Sequence, residues 1–270
     1  MALEEKDIEF RGIRVHYWEG GTGFPILMIH GSGPGASTLG NWKAVLEPMA
    51  ERYHVIAADL VGFGLSERKP DPPYFDFDLW VAQAAFMLDL FDEQELGIVG
   101  HSLSGAIALK LASRDSRIAT VLTTGTMGAR FTPNAETARV WTFPETREAL
   151  RRTAETLIFD KSLITDEYLD NRMQVLHSGD YGSYFEAMFG GDKQPYIDAA
   201  VLSTDELAAI QADVAMIHGR QDSGFPYEET TLALSRQLPH ADVLALGRCC
   251  HSPALEHPGK FMSCARTLFG

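Results

Sequence analysis

Short apolar runs alternate with longer mixed runs through the first half of the chain. Pro25-Ile26-Leu27-Met28-Ile29-His30, Tyr53-His54-Val55-Ile56-Ala57-Ala58-Asp59, Leu96-Gly97-Ile98-Val99 and Ile118-Ala119-Thr120-Val121-Leu122-Thr123-Thr124 are dominated by apolar side chains. Runs this short, apolar at successive positions, predict strands buried on both faces. Between them, Trp42 to Glu51, Leu79 to Phe91 and the alanine-rich stretch from Ala106 to Ala112 read as helices. At the front, Ile8-Glu9-Phe10 and Ile13 to Trp18 flank Arg11-Gly12 and predict a hairpin. Buried strands separated by helices imply an α/β fold with a mostly parallel central sheet covered on both faces.

That alternation stops near Gly128. From Ala129 to Leu202 the chain is helical in character, richer in charge and aromatics, and punctuated by Pro133, Pro144 and Pro195. Strand character resumes at Asp213 to His218 and again at Ala241 to Leu246. The expected organisation is a core of residues 1–128 and 203–270 interrupted by a helical lid over 129–202. An ordinary run of surface helices is the plainer alternative. No internal repeat or low-complexity tract is visible.

Candidate chemistry sits where apolar runs meet helices. Val99-Gly100-His101-Ser102-Leu103-Ser104-Gly105 joins a strand to a helix, and a serine at such a turn is held above the sheet at a helix N-terminus. By itself a serine between glycines is common. A serine hydroxyl needs a base to take its proton and a carboxylate to orient that base. After the strand ending at His218 comes Gly219-Arg220-Gln221-Asp222-Ser223-Gly224-Phe225-Pro226, whose Asp222 is the candidate acid. After the next strand comes Gly247-Arg248-Cys249-Cys250-His251-Ser252-Pro253, whose His251 is the candidate base, ahead of His257 and His240. Three loops at one end of a parallel sheet, in the chain order serine, acid, histidine, outweigh the reading of each as a turn-former or cap.

A fourth loop, His30-Gly31-Ser32-Gly33-Pro34-Gly35-Ala36-Ser37, follows the Pro25 strand directly. Its glycines free backbone N–H groups to face a developing oxyanion, and the N–H groups of Ser32 and Leu103 are placed to hold it. A phosphate loop is the rival reading, but no Gly-Lys-Ser/Thr closes the run and no dinucleotide spacing appears.

Composition narrows the partners. The chain has 270 residues, 45% hydrophobic and 22% charged, with a formal net charge of -14. That balance argues against a nucleic-acid partner, which needs clustered Lys and Arg, and against an anionic membrane surface. The segment from Met1 to Asp7 lacks the basic flank and apolar stretch of a signal peptide. Cys249, Cys250 and Cys264 fit neither a disulfide framework nor a zinc site, so no metal and a reducing cytoplasmic setting are expected.

Together these loops, with Asp59-Leu60-Val61-Gly62-Phe63-Gly64-Leu65-Ser66, resemble the α/β-hydrolase family. The His-Gly-Ser-Gly-Pro-Gly loop followed by Asn41-Trp42 is similar to the meta-cleavage product hydrolases within it, and the likeness covers nearly the whole chain. Those enzymes cut a carbon–carbon bond in vinylogous 1,5-diketones of the 2-hydroxy-6-oxo-hexa-2,4-dienoate type, without a cofactor. The resemblance implies ketonisation of the dienol, then attack at C6 by Ser102 or by a water that His251 activates. It also implies that Arg172 in the insertion binds the carboxylate of a small-molecule substrate, with Asn41, Gly31, Gly33 and His101 at the same site. A homodimer or larger homo-oligomer is implied in the same way. Taken alone, Arg172 reads as a solvated helix residue. The chain departs from the family pattern at His101, where asparagine is common before the nucleophile, at Ser104, where glycine is usual, and at Ser252, where tryptophan commonly follows the base. His101 is either a donor or cation near the dienoate or a packed neighbour of the turn. A carboxylesterase or lactonase with the same triad is the runner-up, and a non-catalytic ligand receptor on this fold is a distant third.

Overall fold

The computed structural model describes residues 3–270. Among these, eight strands form one sheet: β1 (Glu4–Phe10), β2 (Ile13–Gly20), β3 (Pro25–Ile29), β4 (His54–Ala58), β5 (Leu96–His101), β6 (Ile118–Thr124), β7 (Asp213–Gly219) and β8 (Asp242–Leu246). Their spatial order is β1-β2-β4-β3-β5-β6-β7-β8. β1 and β2 pair antiparallel, as do β2 and β4, while every pair from β4 to β8 is parallel. Arg11 and Gly12 both take positive φ, 53° and 77°, the conformation a two-residue hairpin turn requires.

Every residue of β3 and β5 is buried, as their uninterrupted apolar runs require. Helices Phe77–Leu88 and Leu103–Ala112 carry the chain between parallel strands, and two clusters of buried side chains fill the space against the sheet. Parallel pairing forces those crossovers, so the faces of the sheet are dry.

One expected element differs. The run from Trp42 to Glu51 is two short helices, Thr38–Trp42 and Leu46–Ala50, instead of one. Pro48 explains the break: its ring would clash with the carbonyl of Ala44 in a continuous helix, and it has no N–H to donate. The helix at the serine turn is also longer than expected, starting at Leu103.

Between β6 and β7 the chain forms helices Ala135–Val140, Arg147–Leu157, Asp166–Leu176, Tyr181–Met188 and Gln194–Ala200. The Leu202 N–H donates to the Gly128 carbonyl at 2.9 Å, so this segment leaves and rejoins the core at one point. Its inner face is aromatic: Trp141 lies flat on Phe189 (5.5 Å between ring centroids) and edge-on to Phe225 of the core (5.7 Å). Among the described residues no helix is long and apolar enough to cross a membrane.

β3, β5, β7 and β8 share one direction, so the loops after their carboxyl ends gather on one edge of the sheet. Open parallel sheets place their ligands at that edge.

Candidate active site

Ser102 lies between β5, which ends at His101, and the Leu103–Ala112 helix that it caps, and its backbone is left-handed, with φ 57°. A non-glycine residue pays for that conformation, and here the surroundings impose it. A Cβ on Gly100 would come within 2.9 Å of the Gly105 Cα, so the turn closes only around glycines. Ser104, the departure from the usual glycine, donates its hydroxyl to the His30 carbonyl at 2.5 Å and ties the turn to the β3 loop.

The three candidate catalytic side chains meet in one chain of hydrogen bonds. Ser102 Oγ lies 2.8 Å from His251 Nε2, and His251 Nδ1 lies 2.6 Å from Asp222 Oδ2. All three residues are buried, and the side chain of Asp222 is fully so. Asp222 Oδ1 accepts the Phe225 N–H at 3.0 Å. Burial by itself would push the Asp222 carboxyl up; the positive potential of His251 and hydrogen bonds from His218 and His251 overcome it and hold the group well below the usual carboxylate range. Asp222 is therefore ionised, and it keeps the proton of His251 on Nδ1. Nε2 is left free to accept the Ser102 hydroxyl proton. The Phe225 ring stacks on the His251 ring at 4.3 Å and fixes its plane. His257, the alternative base, instead faces the Arg248 carbonyl at 3.0 Å, and His240 is exposed.

The N–H groups of Ser32 and Leu103 meet no acceptor among the described residues. The Gly31 N–H, by contrast, donates to Asn41 Oδ1 at 3.3 Å. A Cβ on Gly31 would stand 2.8 Å from the His101 ring and 3.1 Å from Ser102 Cβ, so this loop approaches Ser102 only as glycine. His30 braces the loop from behind: its ring donates from Nδ1 to the Gly31 carbonyl (2.6 Å) and accepts the Leu60 N–H at Nε2 (3.0 Å).

One cleft runs over these groups. Gly31, Ser32, Gly33, Asn41, His101, Ser102 and His251 line it from the core; Val140, Trp141, Leu157, Tyr168 and Arg172 line it from the inserted helices. Leu103 and Asp222 are buried and do not line it. Arg172 Nη1 donates to the Pro34 carbonyl at 2.7 Å, and its guanidinium lies 5.4 Å from the Tyr168 ring centre. His101 lines the cleft and is also packed: Nδ1 lies 3.0 Å from both the Thr124 carbonyl and its hydroxyl, and the ring sits 4.8 Å from that of His251. Burial, reinforced by repulsion from His251, holds its pKa well below the ordinary histidine value. The ring is therefore neutral at pH 7, with Nδ1–H donating to Thr124, and it brings no positive charge to a ligand.

Geometry of this kind on this sheet order agrees with the comparisons with known proteins. The sequence profile of the alpha/beta hydrolase fold matches residues 25–258. The chain belongs to the α/β-hydrolase family. Within that family it belongs with the meta-cleavage product hydrolases. It is 34% identical to a 2-hydroxymuconate semialdehyde hydrolase of Pseudomonas sp. (strain CF600), over 96% of this chain and 91% of that protein. It is 29% identical to a 2-hydroxy-6-oxo-2,4-heptadienoate hydrolase of Pseudomonas putida, over 93% and 91%. A crystal structure of the meta-cleavage product hydrolase from Pseudomonas fluorescens IP01, a mutant complexed with acetates, superposes with a TM-score of 0.92. It is 30% identical, over 98% of this chain and 97% of that one.

Two residues of this hydrolase's site escape the sequence patterns. His218, the single histidine of the apolar strand β7, contacts Asp222 through Nε2 at 3.1 Å. Glu256 accepts the Cys250 N–H (2.8 Å) beside His251 and the Phe159 (2.6 Å) and Asp160 (3.2 Å) N–H groups at the end of an inserted helix. His251 N–H joins that clamp by donating to the Leu157 carbonyl at 3.0 Å. Hydrogen bonds between loops this far apart in sequence have no periodic signal.

Proposed function

We propose that this hydrolase cleaves the C5–C6 bond of a 2-hydroxy-6-oxo-hexa-2,4-dienoate-type ring-fission product of aromatic degradation. The observation that carries the reading is a serine–histidine–aspartate chain and, on the same cleft, a guanidinium with no carboxylate partner among the described residues. Arg172 holds the substrate carboxylate with its planar fork, and Asn41, Gly31, Gly33 and His101 shape the same end. Ketonisation of the dienol leaves a carbonyl at C2, conjugated through C3=C4 to C5. Ser102 gives its proton to His251 and attacks the C6 carbonyl, and the Ser32 and Leu103 N–H groups hold the resulting oxyanion. As the C5–C6 bond breaks, its electron pair flows through C4=C5 and C2=C3 onto the C2 oxygen, which takes up a proton. The products are a 2-hydroxydienoate and an acyl group that water releases as the carboxylic acid.

Residues 129–202 serve as the lid that keeps bulk water from the dienolate. A cytoplasmic homo-oligomer completes the proposal, with the small-molecule carboxylate as its partner.

A panel of coloured ring-fission products, followed by loss of their absorbance, tests the substrate class. Rapid bleaching of at least one of them is expected. Good turnover of simple esters with no dienoate bleached would replace this reading by an esterase. Ser102→Ala should bind the dienoate, remain folded and lose activity by several orders of magnitude, because triad members act as a unit.

A further inference from the structure

Asp222 holds two histidines. His251 Nδ1 approaches Oδ2 from the cleft side, and His218 Nε2 approaches the same oxygen at 3.1 Å from within the sheet. His218 is fully buried on β7, four residues before Asp222, and never reaches the cleft. Its Nε2 also lies 3.0 Å from the Phe225 carbonyl, so both neighbours of that nitrogen are acceptors and the nitrogen must carry a hydrogen. On the other side of the ring, Nδ1 lies 2.7 Å from Thr231 Oγ1, a hydroxyl that can donate to it. A buried imidazole with every polar atom partnered has one orientation, and this one points its N–H at the oxygen that receives the catalytic base.

From this geometry we propose that His218 is a positioning residue of the triad. Its N–H shares Oδ2 with His251, fixes the carboxylate plane together with the Phe225 N–H on Oδ1, and moderates how strongly Asp222 attracts the imidazolium. The inference rests on Ser102, His251 and Asp222 acting as proposed above. With the His218 donor removed, the carboxylate concentrates its charge on His251 and the imidazolium becomes harder to deprotonate. The acid limb of the rate profile then moves to higher pH. The other titratable and charged groups around His251 are unchanged by this substitution: Ser102 and His101 where β5 runs out, Arg172 in the lining of the same cleft, Cys250 on its own loop, and Glu256 at the end of the helix Pro253–Glu256.

The test is steady-state kinetics against pH on the full-length enzyme with a dienoate substrate. His218→Leu should lower kcat by about tenfold to a hundredfold, the effect of losing one hydrogen bond to a charged group, with KM changed less than about twofold. Its acid limb should rise by about half a unit or more. His218→Gln, whose amide N–H reaches the place of Nε2, should restore most of kcat and return the limb. Wild-type kcat and acid limb in folded His218→Leu would overturn the proposal. Equal damage in both variants with an unmoved limb would also overturn it, since that is the signature of packing alone. If the leucine variant does not fold, the 15N spectrum of histidine-labelled wild-type enzyme decides, with His218 assigned by its absence in His218→Gln. A hydrogen on Nε2 supports the role, and a bare Nε2 removes it. Retained activity in Ser102→Ala would instead mark failure of the triad reading.

Discussion

The two ends of the cleft are built on opposite principles. At one end Asp222 is fully buried, and its two oxygens take hydrogen bonds from His251, His218 and the Phe225 backbone. All of these partners come from strands and loops of the core. At the other end Arg172 is half-buried on an inserted helix and is satisfied at one point only, the Pro34 carbonyl. No carboxylate pairs with it among the described residues, in a chain with a net charge of -14. A carboxylate saturated by its own protein is already committed, whereas a guanidinium with free donors can still accept an anion, the role proposed for Arg172. The contrast separates chemistry, which needs fixed geometry, from recognition, which needs an open valence.

The largest effect should come from disturbing the saturated end. Asp222→Asn keeps the shape but cannot stabilise an imidazolium, and its amide favours the wrong tautomer of His251. A loss of about ten-thousandfold in kcat is expected, with substrate affinity and folding retained. Equilibrium binding of a non-hydrolysed dienoate analogue, beside kcat, checks this. If affinity fell as steeply as rate, the two ends would not be separable.

How far each end can be read from sequence follows the same division. The strands are legible because the parallel sheet is dry on both faces, so β3 and β5 show as unbroken apolar runs. The candidate serine, acid and base, Ser102, Asp222 and His251, are legible because each sits in a loop directly after a strand. Pro48 is legible as a helix breaker only once the i−4 clash with Ala44 is considered, and the apolar pattern around it hides the break. His218 looks like one more strand residue, since contact with a loop residue four positions on leaves no periodic trace. Glu256 joins segments about a hundred residues apart and is invisible for the same reason. Arg172 stands out only through family resemblance, because a lone arginine on a polar helix is ordinary.

A smaller effect, confined to charged substrates, is expected at the open end. Arg172→Ala should cost about 2 to 5 kcal/mol in kcat/KM for a dienoate, roughly thirtyfold upward, because the substrate carboxylate loses a charge-assisted contact in a partly dry cleft. A neutral ester has no carboxylate to lose and should be nearly indifferent. Arg172→Lys should recover part of the dienoate rate, since a point charge cannot reproduce the fork. The quantity to measure is the ratio of kcat/KM for dienoate over ester in each variant. An unchanged ratio would place the substrate carboxylate elsewhere.

The smallest effect concerns the link between the ends. Glu256 accepts N–H groups from Cys250, beside the base, and from Phe159 and Asp160, where the inserted helix Arg147–Leu157 runs out. Glu256→Gln puts an amide where a carboxylate received three donors, so an N–H must face an N–H on at least one side. Loss of a hydrogen bond to a charged group should lower the thermal midpoint by about 3 to 6 °C. Because the Cys250 contact adjoins His251, kcat should also fall, by about threefold to tenfold, while the dienoate-to-ester ratio stays at the wild-type value. That unchanged ratio distinguishes the variant from Arg172→Ala, in which the ratio falls. A lowered midpoint with wild-type kcat would mean that the clamp secures the insertion without reaching the base, and the two ends of the cleft would then be mechanically independent.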